Sequence, residues 1–362
     1  MLADGTIEAF RLQAQFCPSY GSPLYGDLLT HAADDIEAGG PIAALLDGWQ
    51  GRPTPDALPL RLMGGVHRLV LDGAAPDLAA HYPSAGGTPR GAATWDAFRA
   101  VVAARRDVLR PALDRQVQTN EVRRSAALAA GFLTVAKHTG LPLRIREIGS
   151  SAGLNLFWDR YRYELPACAA ETPPGDATPA AHRWGDPNAA VTIRSGWHGS
   201  AAVFAGNATV ASRGGCDIAP IDVTDRQQAR TLESFIWADQ VPRLAQLRAA
   251  IDAARREPPP LVRRAAADWL EEELASPPTG TATVVFHSIM WWYLSEAERE
   301  RATNLITDAG ARATPQAPVA WLRFDLFGSP TAEVRLTVWP GGKETKLGTA
   351  DAHGRWVTWK EA

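Results

Sequence analysis

The run LPLRIREIGSSAGLNLF, Leu141 to Phe157, limits the possible folds more than any other stretch of this chain. Apolar residues alternate with arginines as far as Glu147 and Ile148, the pattern of a short strand. Glycines and serines follow, where the backbone must turn sharply, and the next apolar segment predicts a helix running towards Arg160. A strand that enters a helix through a glycine loop is the opening unit of an α/β sheet.

The loop itself admits two readings. Gly149-Ser150-Ser151-Ala152-Gly153 fits G-x-S-x-G, the turn that exposes a nucleophilic serine in hydrolases. Counted from Glu147, the same residues fit E-x-G-x-x-x-G, a loop whose bare backbone admits a nucleotide-like cofactor. The hydrolase reading needs a later acid and histidine, and Ser151, Asp325 and His353 occur in that order. Against it, the preceding residues read as helical where several strands normally come first. The acid Glu147 also closes a strand that an elbow usually keeps apolar.

Residues 1 to about 140 predict helices, with apolar spacings of three and four in IEAFRLQAQF and from Trp95 through Val135. After the loop, residues 162 to about 208 are rich in Pro, Gly and Thr and read as an insertion carrying two short strands, RYEL and VTIRSGW. The strand and turn TVASRGGCDIAPID follows. Thr224 and Gln227 then form the spacing of a capping box, and Pro242 suits the first turn of another helix. LVRRAAADWL and TATVVFHSIMWWYL read as strand-like runs, the second leading to a capping box at Ser295 and Glu298. VAWLRFDLF, EVRLTVWP and GRWVTW close the chain without a long helix between them, which predicts an antiparallel edge on a mainly parallel sheet.

Composition narrows the function by exclusion. The formal net charge of −3 gives no electrostatic reason to expect nucleic acid or an anionic membrane as partner. No apolar run approaches the roughly 20 residues that span a bilayer, and the N-terminus lacks a secretory pattern. Cys17, Cys168 and Cys216 lie far apart and cannot all pair, so a cytoplasmic location with free thiols is expected. The eight histidines show no metal-ligand spacing, and no metal is expected.

Polar residues at successive strand ends favour the cofactor reading. Glu147 ends the first, Asp217 the second, Asp268 follows the third, and His287-Ser288 ends the next. A doubly wound sheet gathers such ends at one crevice. On these residues the segment from about 141 to 340 resembles the class I S-adenosylmethionine-dependent methyltransferases. The resemblance implies a Rossmann-like sheet over residues 141–362, preceded by an N-terminal helical cap over residues 1–140. It implies S-adenosylmethionine held by Glu147, Gly149, Ser150, Ser151, Gly153 and Asn155, with Ser151 replacing the middle glycine. Asp217 would bind the ribose, Asp268 the adenine amino group, and Trp269 would offer a stacking surface.

Gly153 and Asp217 stand 64 positions apart, so this alignment requires the insertion; without it Glu164 becomes the ribose candidate. The family's tetrapeptide for amino-group methylation of bases is absent after the fourth strand, which disfavours DNA or glutamine methylation, and a small molecule is the expected acceptor. His287 is the candidate general base, because imidazole titrates near neutrality. The alternative for this histidine is satisfaction by backbone at a strand end. Asn120, Glu121 and Arg124 in QTNEVRRSAAL, with Trp291, are candidate acceptor contacts. The whole chain also resembles an uncharacterised bacterial family, through QTNEVRRSAAL, EIGSSAGLNL, GCDIAPIDVTD and LGTADAHGRWVTW. Methyl transfer is therefore the expected function, with a non-catalytic ligand-binding protein or a serine esterase as alternatives.

Overall fold

Helical periodicity in the first third of the chain is realised as a run of short, proline-opened helices. A computed structural model describes residues 2–175 and 177–360. The chain forms two compact units, one of Met1–Thr119 with Asp225–Arg248, the other of Asn120–Thr224 with Ala249–Ala362.

The first unit contains α1 (Thr6–Ser19), α2 (Pro23–Glu37), α3 (Pro41–Leu46), α4 (Leu58–Leu71), α5 (Pro76–Ala79), α6 (Ala92–Ala104) and α7 (Arg106–Ala112). Proline begins α2, α3 and α5, where a missing N–H costs nothing. After α8 (Ser125–Thr139) of the other unit come α9 (Arg226–Ser234) and the first half of α10 (Val241–Arg256). Leu28, Leu29, Ile42, Leu62 and Phe98 fill the core. Asp239 ties the late segment to the early one, accepting from the Ser22 hydroxyl at 2.6 Å and the Leu24 amide at 3.1 Å.

His67 is fully buried here, with Nδ1 3.1 Å from the Ser234 carbonyl and Nε2 2.8 Å from the Ser84 hydroxyl. Burial pushes its pKa down to about 4, only partly offset by the Ser234 carbonyl. Above its ordinary range both folded and unfolded chains hold it neutral. As pH falls towards 4 the unfolded chain takes the proton and the folded one resists. Stability should therefore drop by about 1.4 kcal/mol for each pH unit in that window. Urea unfolding across pH 7 to 4.5 measures this slope, and His67→Gln should flatten it; an unchanged slope would assign the acid sensitivity elsewhere.

The second unit holds β1 (Leu143–Ile148), β2 (Arg162–Pro166), β3 (Ala180–Trp184), β4 (Thr192–Arg194), β5 (Gly196–Gly199), β6 (Val210–Asp217), β7 (Leu261–Arg263), β8 (Ala282–Ser288), β9 (Val319–Asp325), β10 (Ala332–Trp339), β11 (Lys343–Ala350) and β12 (Trp356–Trp359). Among the described residues the larger sheet has nine strands in the order β5-β12-β11-β10-β9-β8-β1-β6-β7. The five from β7 to β9 are parallel, and β9 to β12 run antiparallel. Counted along the chain, the parallel strands lie 3-2-1-4-5, so the winding reverses between β1 and β8. In open α/β sheets the C-terminal ends at such a reversal are where ligands bind.

Helices cover both faces. Gly131 and Phe132 of α8 pack against Leu322, Phe286 and Trp158. On the alternate residues Val285 and Trp321, α11 (Ala266–Glu273) and α12 (Glu296–Ala311) bury Leu270, Ala302 and Ile306. The chain is thus mixed α/β with a large, mostly parallel central sheet, and among the described residues no helix is long and apolar enough to cross a membrane.

Several local expectations are corrected. The compact units divide near residue 119 rather than 140, because α8 is built onto the sheet and residues 225–248 join the helical unit. The predicted helix after the glycine loop is a series of 3₁₀ turns, Leu154–Arg160, broken at Phe157. Half of LVRRAAADWL is helical, since only Leu261–Arg263 extends as a strand and α11 begins at Ala266. Asp225, not Thr224, caps α9, because its carboxylate accepts from two amides, Gln227 and Gln228. Ser295 and Glu298 do form a reciprocal capping box. The 162–208 segment builds the small sheet β3-β2-β4 and also supplies β5, which extends the main sheet beside β12.

Candidate functional site

The C-terminal end of β1 places Glu147 between Gly215 of β6 and Phe286 of β8. Strand alternation sends Arg144 and Arg146 to the opposite face, where both pair with Glu273. Glu147 is left 1% exposed, with Oε2 lacking a hydrogen-bond partner. Burial raises its pKa well above the usual carboxyl range, Asp217 adds to the rise, and Arg124 opposes it.

The glycine loop then runs through three left-handed residues, Gly149 (φ 65°), Ser151 (φ 52°) and Gly153 (φ 66°). A Cβ at Gly149 would lie 2.7 Å from the Met290 side chain, and one at Gly153 2.9 Å from Leu261. The protein itself thus fills the space beside both glycines. Their remaining contribution is conformation. Ser150 donates to the Cys216 carbonyl through its amide (3.0 Å) and hydroxyl (3.1 Å). Asp217 accepts from the Ser151 amide at 2.9 Å and the Ala219 amide at 2.8 Å, so the second strand's acid fixes the first strand's loop.

The segment before α8 closes over this loop. Asn120 accepts from the Leu154 amide at 2.8 Å, and Asn155 donates to the Glu121 carbonyl at 3.4 Å. Asn155 is fully buried and its Oδ1 has no partner. Glu121 accepts from the Arg123 amide at 3.2 Å. The Arg124 guanidinium, 7% exposed, donates to the carbonyls of Ala352 (2.8 Å) and Ser288 (3.0 Å), joining the closing segment to the end of β8.

At that strand end His287 is buried, its Nδ1 3.3 Å from Asp325 Oδ2 at the tip of β9. Trp291 stacks on the imidazole, with ring centres 4.9 Å apart and planes 15° from parallel. Backbone strain concentrates along the same edge. Ser151 follows β1, Ile289 (φ 49°) follows β8 and Phe327 (φ 42°) follows β9. A β-branched residue and a bulky aromatic in the left-handed region are costly, and such residues gather at functional sites.

The structure thus brings together Asn120, Glu121, Arg124, Glu147, Gly149, Ser150, Ser151, Gly153, Asn155, Asp217, His287 and Trp291. Two expected members are placed elsewhere. Asp268 lies in the first turn of α11, paired at the surface with Arg301, because the strand it was expected to follow ends at Arg263. Trp269 is packed in the core with Ile148 and Cys216 and offers no open face. Glu164 sits in the small sheet, paired with Arg162. Of the serine, acid and histidine order, Asp325 faces His287, and His353 donates its amide to Asp351 at 3.0 Å. Asp325 as the partner of His287 has no local sequence signal, since 38 positions separate them.

A cavity of about 240 Å³ has different walls, including Phe157, Arg160, Tyr161 and Glu257. Its Arg160–Glu257 pair and its Tyr161 hydroxyl, bonded to the Leu154 carbonyl, are already matched.

Neither a curated protein nor a solved structure matches the chain. A family model described as "Uncharacterized protein conserved in bacteria (DUF2332)" matches residues 7–359, and the chain belongs to that family.

Proposed function

We propose that this protein binds S-adenosylmethionine at the β1 loop and transfers its methyl group to a small-molecule acceptor. The observation that carries the reading is the orphaned Glu147 carboxyl oxygen, buried beside a left-handed glycine loop where the sheet reverses its winding. A buried polar atom without a partner calls for one, and a ligand ammonium would restore the charge that burial opposes.

The other groups fit the same ligand in part. Asn155 Oδ1 is a second buried acceptor with no protein partner. Asp217 spends two acceptor sites on loop amides and keeps others for ribose hydroxyls. Ile218, an exposed apolar side chain next to Asp217 in the chain, suits contact with a flat base. The adenine end is therefore read as apolar contact rather than recognition by Asp268 and Trp269.

When bound, the sulfonium supplies an activated methyl group. The protein's part is to align the acceptor, exclude water and accept a proton. His287, orphaned at Nε2 beside the loop-covering Met290 segment, is the proton acceptor in this reading. Asn120, Glu121, Arg124 and Trp291 would shape the acceptor side. Thermal unfolding with S-adenosylmethionine tests the proposal. Saturation near 100 times Kd adds about 2.7 kcal/mol and should raise Tm by several degrees; no rise at millimolar ligand would reject it.

The left-handed φ of Ser151 is the one observation favouring a nucleophile elbow. Ser151→Gly separates the readings. Glycine relieves the left-handed strain, so stability should hold or rise by about 0.5–1 kcal/mol while the ligand-induced Tm shift persists. Fluorophosphonate labelling of the wild type that vanishes in Ser151→Gly would instead establish the hydrolase.

A further inference from the structure

We infer that Asp325 is the positioning residue of His287, holding its imidazole as a base whose free Nε2 removes a proton from the acceptor. The inference rests on the methyl-transfer reading and narrows its acceptor to a group that sheds a proton as it is methylated, a hydroxyl, a thiol or an N–H nitrogen with a lone pair. Thioethers and tertiary amines, which lose no proton, are excluded.

The register of the sheet sets up the pair. β8 and β9 run parallel with His287 opposite Arg323 and Ser288 opposite Phe324, so Asp325 projects just beyond the histidine. Its carboxylate is fixed from three sides. Oδ1 accepts from the Leu326 amide at 2.9 Å, and Oδ2 accepts from the Trp291 amide at 3.2 Å. The same Oδ2 stands 3.3 Å from His287 Nδ1, at ion-pair distance but off the hydrogen-bond line. Burial works against ionisation of Asp325, yet His287 and the two amides together hold its pKa below the usual carboxyl range.

A carboxylate facing Nδ1 favours the tautomer protonated there, which leaves the Nε2 lone pair unprotonated. Nε2 is buried and has no partner, unlike a histidine satisfied at both nitrogens such as His67. When the acceptor atom bonds to the methyl carbon, the carbon–sulfur electron pair stays on sulfur and the acceptor's proton passes to Nε2. The imidazolium so formed lies between the Asp325 charge and the parallel face of Trp291, both of which stabilise a cation. The neighbouring cations are directed elsewhere. Arg323 stacks over Trp321 at 4.3 Å and pairs with Glu344, and Arg124 donates to the Ser288 carbonyl.

Protein labelled with ¹⁵N at histidine reports the tautomer directly, with His287 assigned by its absence in His287→Gln. At pH 8 the wild type should show His287 protonated at Nδ1 and bare at Nε2. Asp325→Asn, whose amide can donate to Nδ1, should move the proton to Nε2. Because the wild-type spectrum alone is decisive, a misfolded variant would not rescue the idea. A wild-type proton on Nε2, or a tautomer unchanged in folded Asp325→Asn, overturns it. The Tm shift with S-adenosylhomocysteine should persist in Asp325→Asn. If the wild type itself shows no such shift, the methyl-transfer reading fails and takes the acceptor assignment with it, leaving the measured tautomer as a separate result.

Discussion

Glu147→Gln should make the unliganded protein more stable and its ligand affinity lower. The buried carboxyl has one orphaned oxygen and a second acid, Asp217, acting on it. A neutral amide of the same shape avoids the cost of burying a charge, and about 1–3 kcal/mol of stability at pH 7 is expected. The pH dependence follows from the raised pKa. Below the unfolded pKa both states carry the proton and the residue contributes nothing. As pH rises, the unfolded chain ionises while the folded one resists, so wild type loses stability up to the folded pKa. The variant's advantage should therefore vanish near pH 4 and grow towards neutrality. An ammonium-bearing ligand would lose a charge-assisted contact of about 1.5–3 kcal/mol, or roughly 10- to 100-fold in affinity. Urea unfolding at pH 4 and pH 7, with binding measured on the same samples, checks both signs. A variant destabilised at both pH values would mean that Glu147 is an ordinary structural acid.

Gly354→Ala should be the most damaging single-atom change to the closing segment. Gly354 has φ 69°, and an added Cβ would stand 2.6 Å from the Arg123 carbonyl carbon and oxygen and 2.9 Å from the Arg124 nitrogen. Those are backbone atoms of the segment that carries Arg124, and they cannot swing aside. Left-handed strain of about 1–2 kcal/mol adds to overpacking of about 1–3 kcal/mol, giving about 2–5 kcal/mol in all. Gly328 has an equally left-handed φ of 79° and open space around it, so Gly328→Ala should cost only the strain. Urea unfolding of the two variants separates conformation from crowding. Equal losses would show that the Arg123–Gly354 approach is not tight in solution.

What the sequence revealed and concealed follows one physical division. β1 and its loop were legible because alternation and a glycine run are local signals, and they set the reversal point of the sheet. Asp217 was legible despite its distance, because a strand ending in an acid reads the same wherever an insertion stands. Asp268 misled because its alanine-rich surroundings form a helix one turn after a three-residue strand. The unit boundary was hidden for a different reason. α8 has the same helical period as its predecessors, and its packing on the sheet, Gly131 on Leu322 and Phe132 on Phe286, assigns it there. Likewise, nothing near Asp239 announces that it will fasten Ser22 and Leu24. Pairings across the fold, His287 with Asp325 among them, depend on register between strands far apart in sequence.

Calorimetric titration of the wild-type protein with S-adenosylhomocysteine tests the central claim most directly. One site per chain is expected, with affinity reduced roughly 10- to 100-fold in Glu147→Gln. Absence of binding at millimolar ligand, or equal affinity in the variant, would contradict a site built on the orphaned acid of β1.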